Sequence, residues 1–385
     1  MIAITARQLR EIKTPFYFYD VELLDKTLQL AVREAKRHDF HLHYALKANA
    51  NPRLLEIIRE RGLGADCVSG NEVEAAIKSG FPAGSIVYAG VGKSDEEIRL
   101  ALQQEISCFN CESFPELEVI NDIAGAMGKT ARVSLRVNPN VDAHTHHYIT
   151  TGVEENKFGF PVDDLEQAVN RCRELPNIEW TGLHFHVGSQ ITDTSVFRSL
   201  CERVNEIQRG IAARGLVPSR VNFGGGLGVD YDDPDARPVP DFAAYFQAFA
   251  DSFERLPGQQ VHFEPGRPVV AQCGSLVTRV LYVKEGKNKK FIILDAGMND
   301  LIRPALYQAR HRIENISALL DEPLEPYDVV GPVCESSDCF GKAVPLPVTT
   351  RRGDFFAIRS CGAYGEVMAS RYNLRPIAPS RFSND

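Results

Sequence analysis

The chain lacks the features of membrane and secreted proteins. No uninterrupted apolar stretch among its 385 residues reaches the length needed to cross a bilayer. Residues 1–7 have neither the basic start nor the long apolar core of a signal peptide. We therefore expect a cytoplasmic protein with no membrane partner.

Basic runs are also missing. The formal net charge is −8, from 43 Lys and Arg against 51 Asp and Glu, and the two signs are mixed along the chain. A nucleic-acid surface needs clustered cations to neutralise phosphates. We therefore expect no nucleic-acid partner. Internal repeats, linkers and low-complexity segments are absent from the sequence as well.

The nine cysteines are scattered and odd in number. Cys108 and Cys111 have the spacing of a zinc-ligand pair, but no second pair with a compatible spacing follows, which argues against zinc. We predict reduced thiols, several of them buried in strands, and no bound metal. The segment from His144 to His147 looks metal-like, and we interpret it as a polar loop.

Between residues 41 and 266, short β-rich runs alternate with segments whose apolar residues have helical spacing. Eight runs are candidate strands: His41–Ala48, Leu63–Ser69, Ser85–Gly90, Ile106–Glu112, Arg132–Asn138, Glu179–Gly188, Arg220–Gly226 and Gln260–Gly266. Alternation predicts a parallel sheet, and eight repeats predict a closed (β/α)8 barrel of the TIM type. An open, doubly wound sheet is the structural alternative.

After residue 266 the helical segments disappear. The further strands predicted there are Val269–Val283, Lys290–Asp295, Tyr327–Val330, Asp354–Ser360 and, at a sheet edge because of its two prolines, Val344–Thr350. We predict a barrel domain over residues 25–266 and a β-rich domain over 267–385. The N-terminal residues 1–24 are expected to complete the second domain, through a strand within Thr14–Asp20.

Polar and glycine-rich residues follow the predicted barrel strands. They are Lys47, His186-Val187-Gly188-Ser189, Gly224-Gly225-Gly226 and Glu264-Pro265-Gly266-Arg267. The C-terminal ends of barrel strands share one face, where active sites are built. The glycines would let backbone N–H groups approach a phosphate.

Each of these residues has more than one interpretation. Lys47 fits an imine-forming amine or a solvated lysine at a strand end. Glu264 fits the partner of a protonated pyridine nitrogen or an ion-paired acid at the barrel rim. For His184 and His186 three interpretations stay open: a metal pair, core histidines, or an imidazole stacked on a planar cofactor.

Taken in order, the motifs resemble the fold-type III, pyridoxal phosphate-dependent decarboxylases from about Thr14 to Pro376. The matching segments are Tyr44–Asn49, His184–Gln190, Gly224–Gly226, Glu264–Arg267, Arg303–Tyr307, Cys334–Ser336 and Gly362–Gly365. Any one motif is modest, whereas all of them in this order are specific.

The resemblance implies a barrel with a β domain, in a homodimer whose active sites are shared. It implies that Lys47 carries pyridoxal 5'-phosphate through an imine, that His186 stacks on the ring, and that Glu264 meets the ring nitrogen. The residues expected to contact the phosphate or its surroundings are Ser189, Gly225, Gly226, Gly266, Arg267 and Tyr364. Cys334, with Glu335, would reach into the partner's site, where Cys334 is the candidate proton donor.

The substrate is expected to be a diamino acid with a second carboxylate. Arg303 would bind that distal carboxylate, Glu335 the distal amine, and Tyr307 would add a hydrogen bond. Arg267 and Tyr364 also count among the substrate-binding candidates. We expect decarboxylation of meso-2,6-diaminopimelate to L-lysine, the last step of lysine biosynthesis. The alternatives are carboxynorspermidine, ornithine or lysine of either configuration, and a non-enzymatic pyridoxal phosphate carrier.

Overall fold

The structure is a computed structural model that describes residues 4, 9, 11–141, 157–319 and 321–385. The chain divides into two compact units. The barrel unit comprises residues 28–228 and 241–266. The β-rich unit comprises the described residues up to 27, residues 229–240 and those from 267 onward. The first strand, β1 (Phe16–Tyr19), belongs to the β-rich unit.

Eight parallel strands close the barrel in chain order. They are β2 (Phe40–Ala45), β3 (Gly64–Cys67), β4 (Ile86–Tyr88), β5 (Cys108–Cys111), β6 (Ala131–Arg136), β7 (Ile178–His184), β8 (Arg220–Asn222) and β9 (Gln260–Phe263). The first and last pair in parallel, with Phe40 opposite Val261. All eight overlap the predicted runs, so the predicted barrel is confirmed and the open sheet is wrong.

Helices alternate with these strands. They are α1 (Val21–Arg37), α2 (Pro52–Glu60), α3 (Gly70–Lys78), α4 (Asp95–Gln103), α5 (Phe114–Ala126), α6 (Leu165–Glu174), α7 (Ser195–Ala212) and α8 (Phe242–Ser252). Serine side chains start three of them: Ser69 and Ser113 each accept a backbone N–H three residues on, and Ser94 forms a capping box with Glu97. Among the described residues, no helix combines the length and apolar content that a membrane crossing requires.

Side chains near the ends of β8 and β9 alternate between an apolar set and a polar set. Phe223 and Phe263 stack at 5.7 Å, and both pack on Phe249 of α8. The residues immediately before or after these phenylalanines, Asn222 and Glu264, share a hydrogen bond instead. Because side chains alternate along a strand, aromatic packing on the helices turns the polar neighbours away from them.

The β-rich unit contains one mixed sheet. Its further strands are β10 (Gly274–Glu285), β11 (Lys290–Leu294), β12 (Ile313–Asn315), β13 (Leu324–Val330), β14 (Cys339–Pro347), β15 (Phe355–Ile358) and β16 (Ser380–Phe382). The main path runs β12-β15-β10-β11-β13-β14. Strand β1 lies antiparallel to β10 and parallel to β16, so this N-terminal strand is part of the same sheet.

Some details of this unit differ from the sequence-based expectations. The run predicted to begin at Val269 starts as a short helix, α9 (Arg267–Val270), and its strand begins at Gly274. The proline-containing strand ends at Pro347 rather than Thr350, and it lies at the end of the sheet path, as two missing N–H donors require. Strands β12 and β16 were not predicted, since three residues give no periodic signal.

Candidate active site

A buried carboxylate dominates the interior of the barrel. Glu264, at the end of β9, is 6% exposed. Its Oε1 accepts hydrogen bonds from the side-chain amides of Asn222 at 2.6 Å and Asn110 at 3.3 Å. Its Oε2 lies 3.0 Å from His184 Nε2. We call these four residues the Glu264 cluster.

The geometry fixes the direction of these hydrogen bonds. Asn222 Oδ1 accepts the backbone N–H of Gly224, so its amide nitrogen is the atom that faces Glu264. His184 Nε2 must carry hydrogen, because a carboxylate oxygen accepts. Burial alone would raise the pKa of Glu264, but His184, the hydrogen bond from it, and the charge of Lys47 hold that pKa below its ordinary value. Glu264 is therefore an anion.

Lys47 follows β2 directly, in a one-turn 3-10 helix between the buried Leu46 and Ala48. Its side chain is half-buried. Its positive charge contributes to the lowered pKa of Glu264 and to that of His186. The ammonium therefore lies near both, and the structure brings together the lysine, the acid and the histidine that the sequence singled out.

Asp66 is a second buried acid near Lys47, and sequence analysis missed it. It lies in β3 at 2% exposure, and its Oδ1 has no hydrogen-bond partner within the described part of the chain. Burial, with the charge of Glu264, raises the pKa of Asp66 well above its ordinary value. A charged residue type inside an apolar strand was the available signal.

His186 lies just beyond the end of β7. The backbone N–H of Gly225 donates to its Nδ1 at 3.3 Å, so Nδ1 carries no hydrogen. Burial lowers the pKa of His186 well below its ordinary value, and the charge of Lys47 adds to the shift. The imidazole is therefore neutral, which suits stacking on a planar ring.

The glycine run after β8 packs so closely against neighbouring backbone that side chains would not fit. A Cβ on Gly225 would lie 2.6 Å from the carbonyl oxygen of Glu264, and one on Gly224 would lie 2.5 Å from that of Phe185. Gly224 also has a φ of +67°. Ser189 follows Gly188 on the neighbouring loop, and Gly266 packs against the Cβ atoms of Ala45 and Ala48.

These barrel residues fit pyridoxal phosphate. The cofactor needs an amine, an acid for its ring nitrogen, a flat neutral surface and close backbone N–H groups for its phosphate. Lys47, Glu264 and His186 have the first three properties. In the glycine run the N–H groups of Gly224 and Gly225 donate to Asn222 and His186, so the N–H of Gly226 is the candidate phosphate donor.

In the β-rich unit, two buried guanidiniums share one phenol. Arg267 Nη1 and Arg303 Nη1 donate to the hydroxyl of Tyr231, at 2.6 and 2.9 Å. Arg303 Nη1 also donates to His311 Nε2 at 3.1 Å. We call these four residues the Arg303 cluster. The ring of Tyr364 lies 4.9 Å from the Arg267 guanidinium, and Tyr364 has a φ of +58°, a strained conformation typical of functional sites.

The other candidates in this unit are less buried. Tyr307 ends the short helix α10 (Arg303–Tyr307) and is half-buried. Cys334 and Glu335 are exposed. Cys334 donates its N–H to Asn373 Oδ1, and Glu335 accepts from the Tyr372 hydroxyl at 2.7 Å. Within the residues that the structure describes, Glu335 makes no hydrogen bond or ion pair with Arg303.

The possible metal sites have ordinary explanations. Cys108 and Cys111 are buried thiols, and the Cys108 Sγ lies 3.3 Å from Ser134 Oγ. Across the described ranges, no group of three or more His, Cys, Asp or Glu side chains is arranged to hold a metal ion. The segment from His144 to His147 lies outside the described residues.

Sequence analysis also missed the polar groups that form hydrogen bonds with Glu264 and Arg303. Asn110, Asn222, Tyr231 and His311 are single polar residues without a motif. For the two asparagines, a polar residue near the end of an apolar strand was the available signal. For Tyr231, its position five residues after the run Gly224–Gly226 was a weak signal, and His311 gave none.

Comparison with known proteins provides an independent line of evidence. The family model described as "Pyridoxal-dependent decarboxylase, pyridoxal binding domain" matches residues 23–271. A diaminopimelate decarboxylase of Bacteroides thetaiotaomicron is 55% identical over 98% of this chain and 97% of its own length. One of Helicobacter pylori is 43% identical over 94% of this chain and 89% of its own.

The solved structures agree. A Helicobacter pylori diaminopimelate decarboxylase, crystallised with L-lysine, has a TM-score of 0.91 and 41% identity to this chain. The match covers 98% of this chain and 93% of that one. The similarity therefore extends over both compact units rather than over the barrel alone.

Proposed function

We propose, because the chain belongs to the diaminopimelate decarboxylase family of pyridoxal-dependent decarboxylases, that it converts meso-2,6-diaminopimelate to L-lysine and CO2. The enzyme is a carboxy-lyase with pyridoxal 5'-phosphate as its cofactor. The observation that carries the proposal is the Glu264 cluster, a buried carboxylate held as an anion near a half-buried lysine.

Each barrel residue then has a role. When bound, pyridoxal phosphate accepts the electron pair that the departing CO2 leaves on the substrate carbon. Lys47 would hold the cofactor through its side-chain amine. Glu264 holds a proton on the ring nitrogen, because an anion with three donors around it stabilises a facing cation. His186 provides the flat neutral surface.

The phosphate has its own set of ligands. We propose that the backbone N–H groups of Gly226 and Gly266 bind it together with Ser189, Arg267 and Tyr364, and that Gly225, whose N–H donates to His186, borders it. Close approach of backbone to phosphate needs residues without side chains, and a Cβ at Gly225 would collide with the Glu264 carbonyl.

The substrate's second amino acid end needs both a cation and an anion. We propose that Arg303 binds its carboxylate, that Tyr307 adds a hydrogen bond, and that Arg267 and Tyr364 border the substrate. Arg303 is 6% exposed and is held by a phenol and an imidazole rather than by a carboxylate. A substrate without the second carboxylate would leave this charge buried and uncompensated, which costs about 3–5 kcal/mol.

Cys334 and Glu335 belong to a second part of the proposal. We infer a homodimer in which each subunit supplies these two residues to its partner's site, Cys334 as the proton donor to the substrate carbon and Glu335 for the distal amine. Both side chains are exposed, and the nearby Leu374 is 96% exposed, which suits a surface that another subunit covers. A cytoplasmic location remains part of this proposal.

The decisive experiment measures CO2 release by the purified holoenzyme. We expect release from meso-diaminopimelate, with kcat/KM at least about 100-fold above the values for L-lysine, L- or D-ornithine and carboxynorspermidine, as expected from loss of about 3 kcal/mol. Equal values for L-lysine and diaminopimelate would contradict the assignment. No release from any diamino acid, despite bound cofactor, would favour a carrier.

Lys47→Ala tests the cofactor anchor. It should abolish both turnover and the absorbance band of the lysine-bound cofactor, because no other amine replaces the imine-forming group. The matched control is Lys78→Ala, at an exposed position of α3, which should keep both. A band that survives in Lys47→Ala would show that the cofactor is bound elsewhere.

A further inference from the structure

The hydroxyl of Tyr231 is shared by two buried guanidiniums, those of Arg267 and Arg303. Guanidinium nitrogens only donate, so the phenol oxygen accepts from Arg267 at 2.6 Å and from Arg303 at 2.9 Å. These two bonds use both lone pairs of the oxygen.

Arg303 is oriented by the same contacts. Both of its hydrogen bonds leave from Nη1, one to Tyr231 and one to His311. Across the described residues, its Nε and Nη2 make no hydrogen bond. Neither atom is among the buried polar atoms that lack a hydrogen-bond partner. The guanidinium is thus held along one side, while its Nε–Nη2 edge is available. That edge has the geometry for a two-point bond to a carboxylate.

His311 fixes this orientation. Its Nδ1 lies 2.8 Å from the carbonyl oxygen of Arg359, which only accepts, so Nδ1 carries the hydrogen and Nε2 is the acceptor for Arg303. Burial, with the charge of Arg303, lowers the pKa of His311 to about 3, so the ring stays neutral. Its ring also packs edge-on against Tyr231, with the centroids 5.0 Å apart.

We propose that Tyr231 and His311 determine specificity for the second carboxylate of the substrate. Both are positioning residues: their hydrogen bonds to Nη1 of Arg303 keep its Nε–Nη2 edge directed at that carboxylate. This inference rests on the proposed function, because it names further residues for the same recognition step.

The chemistry of the reaction supplies a test that does not depend on turnover. Decarboxylation of diaminopimelate removes one carboxylate, so the product L-lysine still carries the distal one. Cadaverine has the same carbon chain and two amines but no carboxylate. A residue that recognises the distal carboxylate must therefore affect L-lysine binding and leave cadaverine binding unchanged.

Tyr231→Phe in the holoenzyme is the central variant. It keeps the ring and removes the hydroxyl. We expect the Kd for L-lysine and the KM for meso-diaminopimelate to rise about 10- to 100-fold, as for a lost hydrogen bond to a charged group, with cadaverine binding and kcat within about threefold. The matched control is Tyr282→Phe, at an exposed position of β10, which should change nothing.

His311 is tested with two variants. His311→Leu removes the acceptor for Arg303 and should weaken L-lysine binding about tenfold. His311→Gln, whose side-chain oxygen accepts a hydrogen bond, should recover most of the affinity. Melting temperatures are recorded for both. If His311→Leu does not fold, the inference is tested by comparing His311→Gln with the unmutated protein and by the Tyr231→Phe result.

The outcomes separate the two proposals. If the unmutated holoenzyme releases no CO2 from diaminopimelate, the proposed function fails. If it does, but Tyr231→Phe binds L-lysine as tightly as before, or loses L-lysine and cadaverine affinity equally, this inference is wrong. Equal loss would show that the hydroxyl serves to pack the two guanidiniums.

Discussion

The Glu264 and Arg303 clusters solve the same physical problem with opposite charges. Glu264 and Arg303 are each 6% exposed. The hydrogen-bond partners of Glu264 are two amides and an imidazole, and those of Arg303 are a phenol and an imidazole. Burying a charge costs several kcal/mol unless it is compensated. In both clusters polar groups compensate it in part, and the charge stays available to a ligand.

The two clusters differ in how completely the charge is surrounded. Both oxygens of Glu264 accept hydrogen bonds, whereas Arg303 donates from one nitrogen and leaves an edge open. A fully held carboxylate suits an electrostatic role that does not depend on reorientation. A guanidinium with an open edge suits two-point binding. The barrel charge should therefore control kcat, and the charge in the β-rich unit should control KM.

Glu264→Gln tests the first half of this comparison and should give the larger effect. The amide keeps the shape but removes the charge, so the ring nitrogen loses the anion that holds its proton. We expect kcat to fall about 100- to 1,000-fold, as for other lost electrostatic groups, with KM within a few fold. Steady-state kinetics of the cofactor-loaded variant measure both.

The matched control is Glu254→Gln, at an exposed position of the barrel unit, where kcat should not change. A Glu264→Gln enzyme with normal kcat and raised KM would reverse the assignment of roles. Its melting temperature and cofactor absorbance distinguish a chemical defect from failure to fold or to bind the cofactor.

Arg303→Lys tests the other half. Lysine keeps the charge but has no planar fork, so the two-point bond is lost. We expect the KM for meso-diaminopimelate to rise about 10- to 100-fold while kcat stays within a few fold. L-Lysine affinity should fall in parallel and cadaverine affinity should not. A fall in kcat alone would contradict the comparison.

The two regions also differ in what their sequences predict. The barrel was predictable because short β-rich runs alternate with segments of helical spacing, and a residue at a strand end then falls on the shared face. Lys47 and Glu264 are such residues. In the β-rich unit, β12 and β16 are too short for any pattern, and their pairing is set by distant strands.

The groups around the two charges were not predictable in either region. Asn110 and Asn222 belong to different strands, and Tyr231 and His311 lie 80 residues or so apart in the chain. Hydrogen bonds between such residues depend on tertiary structure and leave no spacing in the sequence. The sequence shows where a charge falls, and the structure shows what holds it.

The smallest effect we predict concerns stability rather than catalysis, and it comes from a neutral histidine of the barrel. His43 Nδ1 lies 3.0 Å from the carbonyl oxygen of Ser85, so it donates, and its Nε2 lies 2.9 Å from His262 Nδ1. Burial lowers the pKa of His43 from 6.5 to about 4. The unfolded chain therefore binds more protons than the folded chain between these values, and stability falls as the pH drops below 6.5.

Between pH 8 and pH 5.5 this group alone should remove about 1.4 kcal/mol from the free energy of unfolding. Urea unfolding at the two pH values measures the loss, and His43→Gln should reduce it by that amount, whatever its effect on absolute stability. His38→Gln, at the end of α1, is the control and should leave the difference unchanged. An equal loss in His43→Gln would mean that the acid sensitivity comes from other groups, among them His311 in the β-rich unit, whose pKa is lowered in the same direction.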